Sequence, residues 1–495
     1  MHDPDTVTDT MKTPAAKGGK ASKAPPISRA TKLAFGFGAV APGVTVGAFD
    51  FFLLIFYSQV VGLDARLVGL AILVALIFDA VSDPIVGYWS DNHRSRWGRR
   101  HPFMYASAVP IAVSFFFLWV PPEGASQFQL FWYVLILSVS IRTAVTFYRT
   151  PSTALAPDLT KDYDERTSLY SLRYLFAWFG GNTLVVLMFF ILFPQFVTET
   201  IEDGRFNRDA YQVYGLIGAV MIFVSITVSS LGTHSRIIHL GSPPPARKMT
   251  LSVIFREIFE TLANRSFIAL FVAALFYAVA SGVVASLSLY LYTYFWEFSE
   301  LQTGAIFLGT FIAAVIGFVL APIVTRKMGK KRGAMIIGLI AFGGAPLPIV
   351  LRLLDLLPPN GTPFVFWFVT LTNIIDIGLI ITFQILFASM IADLVEESEL
   401  KTGRRSEGVF TAAETFIRKC VQGFGVMAAT LVLTLAQFPT GADVQEVEPE
   451  AVRRLGLYYV PLVLILYITM IAVISTYQID RRTHEENLRK LQESR

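Results

Sequence analysis

Two aspartates, Asp79 and Asp83, lie four residues apart inside an apolar stretch of this chain. In an α-helix, this spacing places the two carboxylates about 40° apart around the axis and roughly 6 Å apart along it, so they can bind one ligand together. An ionised carboxylate at the centre of a membrane helix costs about 2.5 to 3.5 kcal/mol on insertion scales, so the pair predicts contact with protein, water or an ion. The pair is typical of a pathway for charge through a membrane. A structural ion pair in a soluble helix is the alternative.

The composition of the chain favours a membrane protein. Of its 495 residues, 54% are hydrophobic and 16% are charged, whereas soluble proteins carry about 25% charged residues. The single cysteine, Cys420, cannot form an internal disulfide. Residues 1–30 are polar and lack the apolar core of a signal peptide. They therefore predict a disordered cytoplasmic tail.

Apolar runs of about 20 residues predict twelve transmembrane helices, six before a polar gap and six after it. The predicted spans are 33–60, 66–90, 103–121, 128–150, 169–194, 210–232, 267–295, 301–325, 333–354, 363–391, 409–437 and 456–477. This order predicts an N-terminal half over 31–235, a cytoplasmic linker over 236–266, a C-terminal half over 267–480 and a cytoplasmic tail over 481–495.

Basic residues cluster on one side of the predicted bundle. They follow the second, sixth, eighth and tenth spans, whereas acidic residues prevail after the fifth and the eleventh. The positive-inside rule then places these basic connections and both termini in the cytoplasm. We therefore expect a multi-pass protein in the lipid bilayer of the plasma membrane, or of the inner membrane if the source is bacterial. The basic residues are Arg94, Arg96, Arg99, Arg100, Arg236, Arg247, Lys248, Lys327, Lys330, Lys331, Arg332, Lys401, Arg404 and Arg405.

Two weak repeats connect the halves of the sequence. The segment Trp97-Gly98-Arg99-Arg100 resembles Met328-Gly329-Lys330-Lys331-Arg332, and Ala156-Pro157-Asp158-Leu159 resembles Ile391-Ala392-Asp393-Leu394. Each repeat is offset by about six spans. The predicted fold is therefore all-α, with two parallel six-helix halves and a substrate site between them near the midplane, which is the arrangement of the major facilitator fold.

Several segments resemble one transporter family. The stretches Phe78–Pro84 and Ser95–Arg99, together with Lys32–Ala39 and Val60–Leu63, resemble the glycoside/pentoside/hexuronide:cation symporters, the melibiose permease-like branch of the major facilitator superfamily. The resemblance covers the N-terminal half. The C-terminal half matches mainly by its topology and by Lys419.

The resemblance implies roles for the residues that match. Asp79 and Asp83 match the pair that binds the coupling ion, H⁺ or Na⁺, with the hydroxyl of Thr146 nearby and Lys419 facing the carboxylates. Arg173 matches an arginine of the sugar pocket. The loop after the second span resembles a conformational latch that pairs with acidic residues at neighbouring helix ends. Its residues are Asp91, Arg96, Gly98, Arg99 and Arg100, with Asp158 and Glu165 as further available partners.

Two positions depart from the pattern of the sugar symporters. Gly43 stands where they have an aspartate in the first helix, and Arg149 stands where they have one in the fourth. Asp50 lies about 20° around the helix from Gly43 and could replace the missing carboxylate, or it could pair with a cation on a neighbouring helix. Arg149 and Lys419 facing the aspartate pair would make the cavity nearly neutral. Proton coupling or an anionic substrate is then easier to explain than a Na⁺ site.

Other polar and aromatic residues are ambiguous. Tyr148, Trp178 and Tyr290 could stack on a substrate ring or could serve in packing. Arg142, Asp376 and Glu414 could belong to the pocket or to structural pairs. All six histidines are expected in tails or connecting loops, which excludes a buried histidine relay. They are His2, His93, His101, His234, His239 and His484.

We therefore predict a secondary transporter that works by alternating access. It would couple H⁺ or Na⁺ to symport of a glycoside, a sugar acid or a related small organic solute. The predicted substrate-binding set is Asp50, Arg149, Arg173, Tyr148 and Trp178.

Two alternatives remain, namely a lysolipid or other amphiphile symporter of the same branch and a non-transporting receptor or scaffold. The sequence contains no phosphate-binding loop, no metal-spaced Cys/His cluster and no nucleophile elbow. This argues against an enzyme and against ATP-driven transport. We expect no cofactor, no metal site beyond the coupling ion, no nucleic-acid partner and a monomer.

Overall fold

The computed structural model describes residues 27–160, 163–237, 265–402, 423–441 and 447–477. Within these ranges the regular structure is helical, and eleven helices are long and apolar enough to cross a membrane. A shorter apolar helix lies within the predicted eleventh span, whose first part is outside the described residues. The predicted all-α membrane fold is confirmed. Most of the predicted linker and both tails lie outside the described ranges.

We number the twelve helices α1 to α12 in chain order. They are α1 (Arg29–Val60), α2 (Ala65–Asn92), α3 (His101–Leu118), α4 (Gln127–Leu159), α5 (Tyr163–Leu187), α6 (Arg208–His234), α7 (Arg265–Tyr290), α8 (Glu300–Met328), α9 (Lys330–Leu353), α10 (Pro363–Thr402), α11 (Gly423–Leu435) and α12 (Pro449–Ser475).

The helix ends follow from local sequence. The side chain of Asp64 accepts a hydrogen bond from the backbone of α2, while Ser126 and Ser299 form capping boxes at the starts of α4 and α8. Gly98 and Gly329, which correspond in the sequence repeat, both have left-handed backbone, with φ of 75° and 76°. Only glycine adopts such angles without strain. The two loops therefore share a positive φ at the matching glycine as well as a sequence.

The packing of the helices repeats after six helices. In the N-terminal half, α1 packs on α5 and α6, α2 packs on α4, and α3 packs on α4 and α6. In the C-terminal half, α7 packs on α12, α8 on α10, and α9 on α10 and α12, while Gly425 of α11 lies against the backbone of α7 at Val279. The first helix of each half also finishes in a π-helical turn, Phe56–Val60 in α1 and Leu291–Phe295 after α7. The two halves are thus built alike.

The bundle has two ends that differ in charge. We call the end that carries the connections after α2, α6, α8 and α10 the basic end, and the other the opposite end. The hydrogen bonds that join the two halves within the described ranges lie at the opposite end. There Gln59 Nε2 donates to Pro439 O at 3.2 Å, Gly441 N donates to Ser58 O at 3.0 Å, and the hydroxyls of Ser58 and Tyr290 are in contact. The described halves are therefore joined at the opposite end.

A close crossing of α1 and α5 explains one departure from the family pattern. A Cβ atom added to Gly43 would lie 2.1 Å from the carbonyl oxygen of Ala177, and one added to Gly181 would lie 2.6 Å from the carbonyl oxygen of Gly43. No side chain fits between backbones at this separation. An aspartate at position 43 therefore requires a wider crossing than this chain has.

We predict that Gly43→Ala lowers the thermal stability of the protein. The added methyl group must separate α1 from α5, and overpacking of this kind costs about 1 to 3 kcal/mol. Thermal unfolding of the purified protein, followed by intrinsic fluorescence, measures the effect. Gly343→Ala is the control, because a Cβ atom at this helical position meets nothing within 4 Å. Equal midpoints for the two variants would contradict the close crossing.

Candidate functional site

The site is built where α2 packs on α4. Asp79 and Asp83 lie one turn apart on α2, while Arg142, Thr146 and Arg149 recur at intervals of four and three on α4 and share one face. Both helices are continuous through these positions. The carboxylates of one helix therefore face the cations and the hydroxyl of the other.

Thr146 connects the two carboxylates. Its Oγ1 lies 2.8 Å from Asp79 Oδ1 and 3.0 Å from Asp83 Oδ1. A hydroxyl has one hydrogen to donate and can accept a second bond through its oxygen. Thr146 can therefore satisfy both aspartates at once only when one of them is itself a donor. The structure brings together three of the four residues predicted for coupling, and the fourth, Lys419, lies outside the described residues.

Each aspartate also faces an arginine. Arg149 Nη2 lies 3.0 Å from Asp83 Oδ2, and Arg142 Nη1 lies 3.7 Å from Asp79 Oδ2. The side chains of Asp79 and Arg142 are 5% and 16% exposed, whereas those of Asp83 and Arg149 are 19% and 31% exposed. The site therefore contains a buried pair, Asp79 with Arg142, and a more exposed pair, Asp83 with Arg149. Arg142, whose role the sequence left open, belongs to the buried pair.

Asp50 on α1 lies near Arg142. The guanidinium of Arg142 stacks on Phe49 at 4.4 Å, and Asp50 is close enough to interact with it electrostatically. The sequence left two roles open for Asp50, a replacement carboxylate or a partner for a cation on another helix. The second matches its position beside Arg142, and a contact of Asp50 with substrate stays a prediction.

Arg173 forms a second centre on α5. It is 8% exposed, and its Nη1 and Nη2 donate to Ser152 Oγ at 2.5 Å and to Thr153 Oγ1 at 3.1 Å. The ring of Phe35 lies 5.1 Å from its guanidinium carbon. Within the described ranges, no carboxylate forms an ion pair with Arg173, whose side-chain hydrogen bonds go to these two hydroxyls. A buried cation held only by neutral groups leaves one positive charge uncompensated.

Arg173 and Arg149 lie at a similar depth in the bundle. Each is about ten residues, or roughly 15 Å, from the basic end of its helix, and the two charges are close enough to repel each other. Sequence reasoning missed the two hydroxyl partners of Arg173, although Ser152 and Thr153 follow Arg149 within one turn of α4. Their closeness to Arg149 in the sequence was the signal from which these two hydroxyls could have been predicted as part of the site.

The two aromatic residues predicted for the pocket differ in their surroundings. Tyr148 is fully buried, and its hydroxyl lies where a Cβ atom of Gly38 would be, beside Ser229. Trp178 is 37% exposed and lies one turn from Tyr174, about 140° around α5 from Arg173. Contact of either ring with substrate stays a prediction.

The predicted latch residues form ion pairs inside the N-terminal half. Arg99 Nη2 lies 2.7 Å from Asp158 Oδ2, while Arg100 reaches Asp158 at 2.5 Å and Asp91 at 3.1 Å. Arg96 instead stacks on the neighbouring ring of Trp97, and Gly98 supplies the turn. These bonds hold the ends of α2 and α4 to the start of α3. A role in switching conformation stays a prediction.

Glu165, the third acidic partner available to the latch, pairs with another cation. Its carboxylate lies 2.9 Å from Lys32 Nζ and accepts a hydrogen bond from Thr160. The hydrogen bond from Thr160 and the bond and charge of Lys32 hold the pKa of Glu165 below its ordinary value. This pair ties α1 to α5 at the basic end.

The prediction that all histidines lie in tails or loops was wrong for two of them. His101 is the first residue of α3 and is fully buried, with Nε2 3.0 Å from Thr233 Oγ1. His234 is the last residue of α6, and its ring centre lies 5.8 Å from that of His101. Helices α3 and α6 extend beyond their apolar runs, because their polar ends pack on each other.

Asp376 is buried beside Gly344 of α9, and Glu414 lies outside the described residues.

Comparisons with known proteins agree with this architecture. A family model described as MFS/sugar transport protein matches residues 34–481. The glucuronide carrier protein homolog of Escherichia coli is 24% identical, over 83% of this chain and 85% of its own length. The sodium-dependent lysophosphatidylcholine symporter 1 of Gallus gallus is 25% identical, over 95% of this chain and 90% of its own. The solved structure of a D-xylose-proton symporter has a TM-score of 0.58 at 14% identity and covers 89% of this chain and 96% of that one.

Proposed function

Because the chain belongs to the MFS/sugar transport protein family, we propose that it is a proton-coupled symporter of a sugar acid or a similar small organic anion. The family match confirms the predicted family resemblance and the predicted transporter. The protein is a multi-pass membrane transporter with the major facilitator fold. The nature of the substrate and of the coupling ion is the subject of the proposal.

The observation that carries the choice of an anion is the environment of Arg173. The cations of Arg142 and Arg149 each face an aspartate, while Arg173 has only Ser152 and Thr153 as hydrogen-bond partners within the described ranges. A carboxylate on the substrate would supply the missing negative charge. Arginine binds carboxylates through two parallel hydrogen bonds, which also orients the substrate.

Proton coupling is assigned to Asp83. Arg149 and Thr146 already occupy its oxygens, so few ligands remain for Na⁺, which needs several. A proton, in contrast, can bind a single carboxylate oxygen. A protonated Asp83 can donate to Thr146, and Thr146 can then donate to Asp79. Protonation also removes the charge that holds Arg149, so the ion pair loosens and Arg149 becomes available to the substrate.

The proposed orientation follows the distribution of basic residues. The basic end faces the cytoplasm and the opposite end faces outward, with both termini inside and the protein in the plasma membrane. In this orientation, the contacts between Ser58, Gln59, Tyr290 and Gly441 close the outer side.

A thermal-shift screen of the purified protein tests the proposal. We expect a sugar acid such as glucuronate to raise the melting temperature more than the matching neutral sugar does, and more at acidic than at alkaline pH. The measurement is repeated in Na⁺ and in K⁺ salts. Stabilisation by neutral sugars alone, or stabilisation that requires Na⁺, would contradict it.

One observation favours an amphiphile as a second candidate substrate. An apolar groove of about 370 Å³ lies between α1, α5 and α6. Phe176, which lines it, contacts Phe37 and lies one turn along α5 from Arg173. The groove could therefore hold an acyl chain beside a buried cation. Inclusion of a lysolipid in the same screen distinguishes this candidate, since it alone predicts stabilisation by the acylated compound. The lining residues are Phe37, Val40, Phe176, Phe179, Gly180, Thr183, Val220, Met221 and Val224.

A further inference from the structure

A cluster of charged side chains bridges the two halves at the opposite end. Asp203 and Arg205 lie in the connection between α5 and α6, in the N-terminal half, and Glu300 is the first residue of α8, in the C-terminal half. It lies at the opposite end, away from the pairs of α2 and α4. Its bonds cross between the two halves, which must separate here in alternating access.

The contacts within the cluster are specific. Gly204 N donates to Glu300 Oε1 at 2.6 Å, and Arg205 Nη1 donates to Thr293 Oγ1 at 2.9 Å, so two bonds cross between the halves. Arg205 also binds the carboxylate of Asp203, with Nη2 2.6 Å from Oδ2. Because Gly204 directly follows Asp203, its bond to Glu300 places the carboxyl group of Glu300 beside the carboxylate that Arg205 binds. Two neighbouring carboxyl groups can hydrogen-bond to each other only when one of them carries a proton.

We propose that Asp203 and Glu300 share a proton and that this proton holds the opposite end closed. With the proton present, Glu300 donates to Asp203 and the halves are joined. Without it, two carboxylates face each other across the interface and repel. The ligand of this site is therefore a proton, bound between the halves rather than within one.

The surroundings indicate which carboxyl group carries the proton. Burial alone would raise the pKa of Asp203, but the charge and hydrogen bonds of Arg205 hold it below its ordinary value. Asp203 is thus the ionised member, and Glu300 is the donor. Among the described residues, the phenol of Tyr211 on α6 also interacts with the cluster, and Tyr290 on α7 lies near Tyr211. Tyr211 donates its hydroxyl hydrogen to the carbonyl oxygen of Arg205 and remains neutral at the pH of interest.

Closure of the opposite end by a shared proton is consistent with the proposed function. Only the assignment of that end to the outside of the cell rests on the proposed function. If the opposite end faces outward, the transporter closes to the outside when external protons are abundant. Closure is then linked to the same ion that drives uptake. Without this link, a carrier at high external pH could close its outer side and return to the inward-facing conformation with no proton bound.

Distances between spin labels measured at several pH values test the proposal without substrate or transport. In a Cys420→Ser background, labels are attached after Glu123→Cys and Leu356→Cys, two exposed positions at the opposite end of the two halves. We expect the ratio of long to short distances to rise about tenfold or more between pH 5 and pH 8. The protein is reconstituted in nanodiscs.

Two variants separate the cluster from other titrating groups. Glu300→Gln keeps a permanent donor to Asp203, so the short distance should persist at every pH. Glu297→Gln, three residues earlier and exposed, is the matched control and should titrate like the parent protein. If the parent protein shows no pH dependence, or if Glu300→Gln titrates as the parent does, the proposal is overturned. Because no substrate is present, this result is independent of whether an organic anion is carried.

Discussion

Asp83→Asn is expected to abolish accumulation of substrate against its gradient while leaving substrate exchange measurable. An asparagine cannot gain or lose a proton, so the step that links proton movement to the site is missing. The neutral side chain also mimics the protonated state, in which Arg149 is released. A gradient of one pH unit supports about tenfold accumulation per proton, and this ratio should fall to about one in the variant.

Uptake into proteoliposomes with an imposed pH gradient measures this effect. Exchange of labelled against unlabelled substrate, without a gradient, shows whether the variant still binds and moves substrate. Asp64→Asn is the matched control, because it makes the same change on α2 at a capping position where asparagine is equally effective. Full accumulation by Asp83→Asn would remove Asp83 from the coupling mechanism.

Arg173→Gln is expected to weaken binding of an anionic substrate by about 10- to 100-fold. This range corresponds to the loss of a hydrogen bond to a charged group, which contributes about 1.5 to 3 kcal/mol. Glutamine keeps the start of the side chain and an amide donor but lacks the reach of Nη1 and Nη2 to Ser152 and Thr153, so thermal unfolding of the variant is compared with that of the parent protein. Affinity for a neutral analogue of the same size should change little.

Competition binding with a sugar acid and with its neutral counterpart gives both affinities. Arg352→Gln is the control, since this arginine lies at the opposite end and its side chain donates to the nearby carbonyl oxygen of Pro358. Equal losses for the charged and the neutral compound would make Arg173 a structural residue. The proposal of an anionic substrate would then lose its main support.

The sequence predicted the parts of the site that depend on helix periodicity and on family motifs. The four-residue spacing of Asp79 and Asp83 places both carboxylates on one face of α2 and Thr146 lies between them, as expected. The expected neutralisation of Asp83 by Arg149 is also present. The number and order of the spans followed from hydropathy, because a bilayer imposes the length of each helix.

Other features depend on which helices pack against each other. The periodicity of a single helix does not show this. The pairing of Arg142 with Asp79, the burial of Tyr148 against α1 and the bond from Gly204 to Glu300 each join residues that are distant in the sequence. The need for glycine at position 43 could not be predicted for the same reason, since it is the crossing of α1 and α5 that excludes a side chain there. Hydropathy also misplaced His101, because a polar helix end can be buried by protein rather than by lipid.

The central claim, that a proton moves with the substrate through Asp83, is tested most directly by recording the pH inside proteoliposomes. A pH-sensitive dye is trapped inside, and an inward gradient of substrate is applied without any initial pH difference. The account predicts acidification of the interior that requires substrate, does not require Na⁺ and is absent in Asp83→Asn. Substrate entry without acidification, or acidification of equal size in Asp83→Asn, would contradict it.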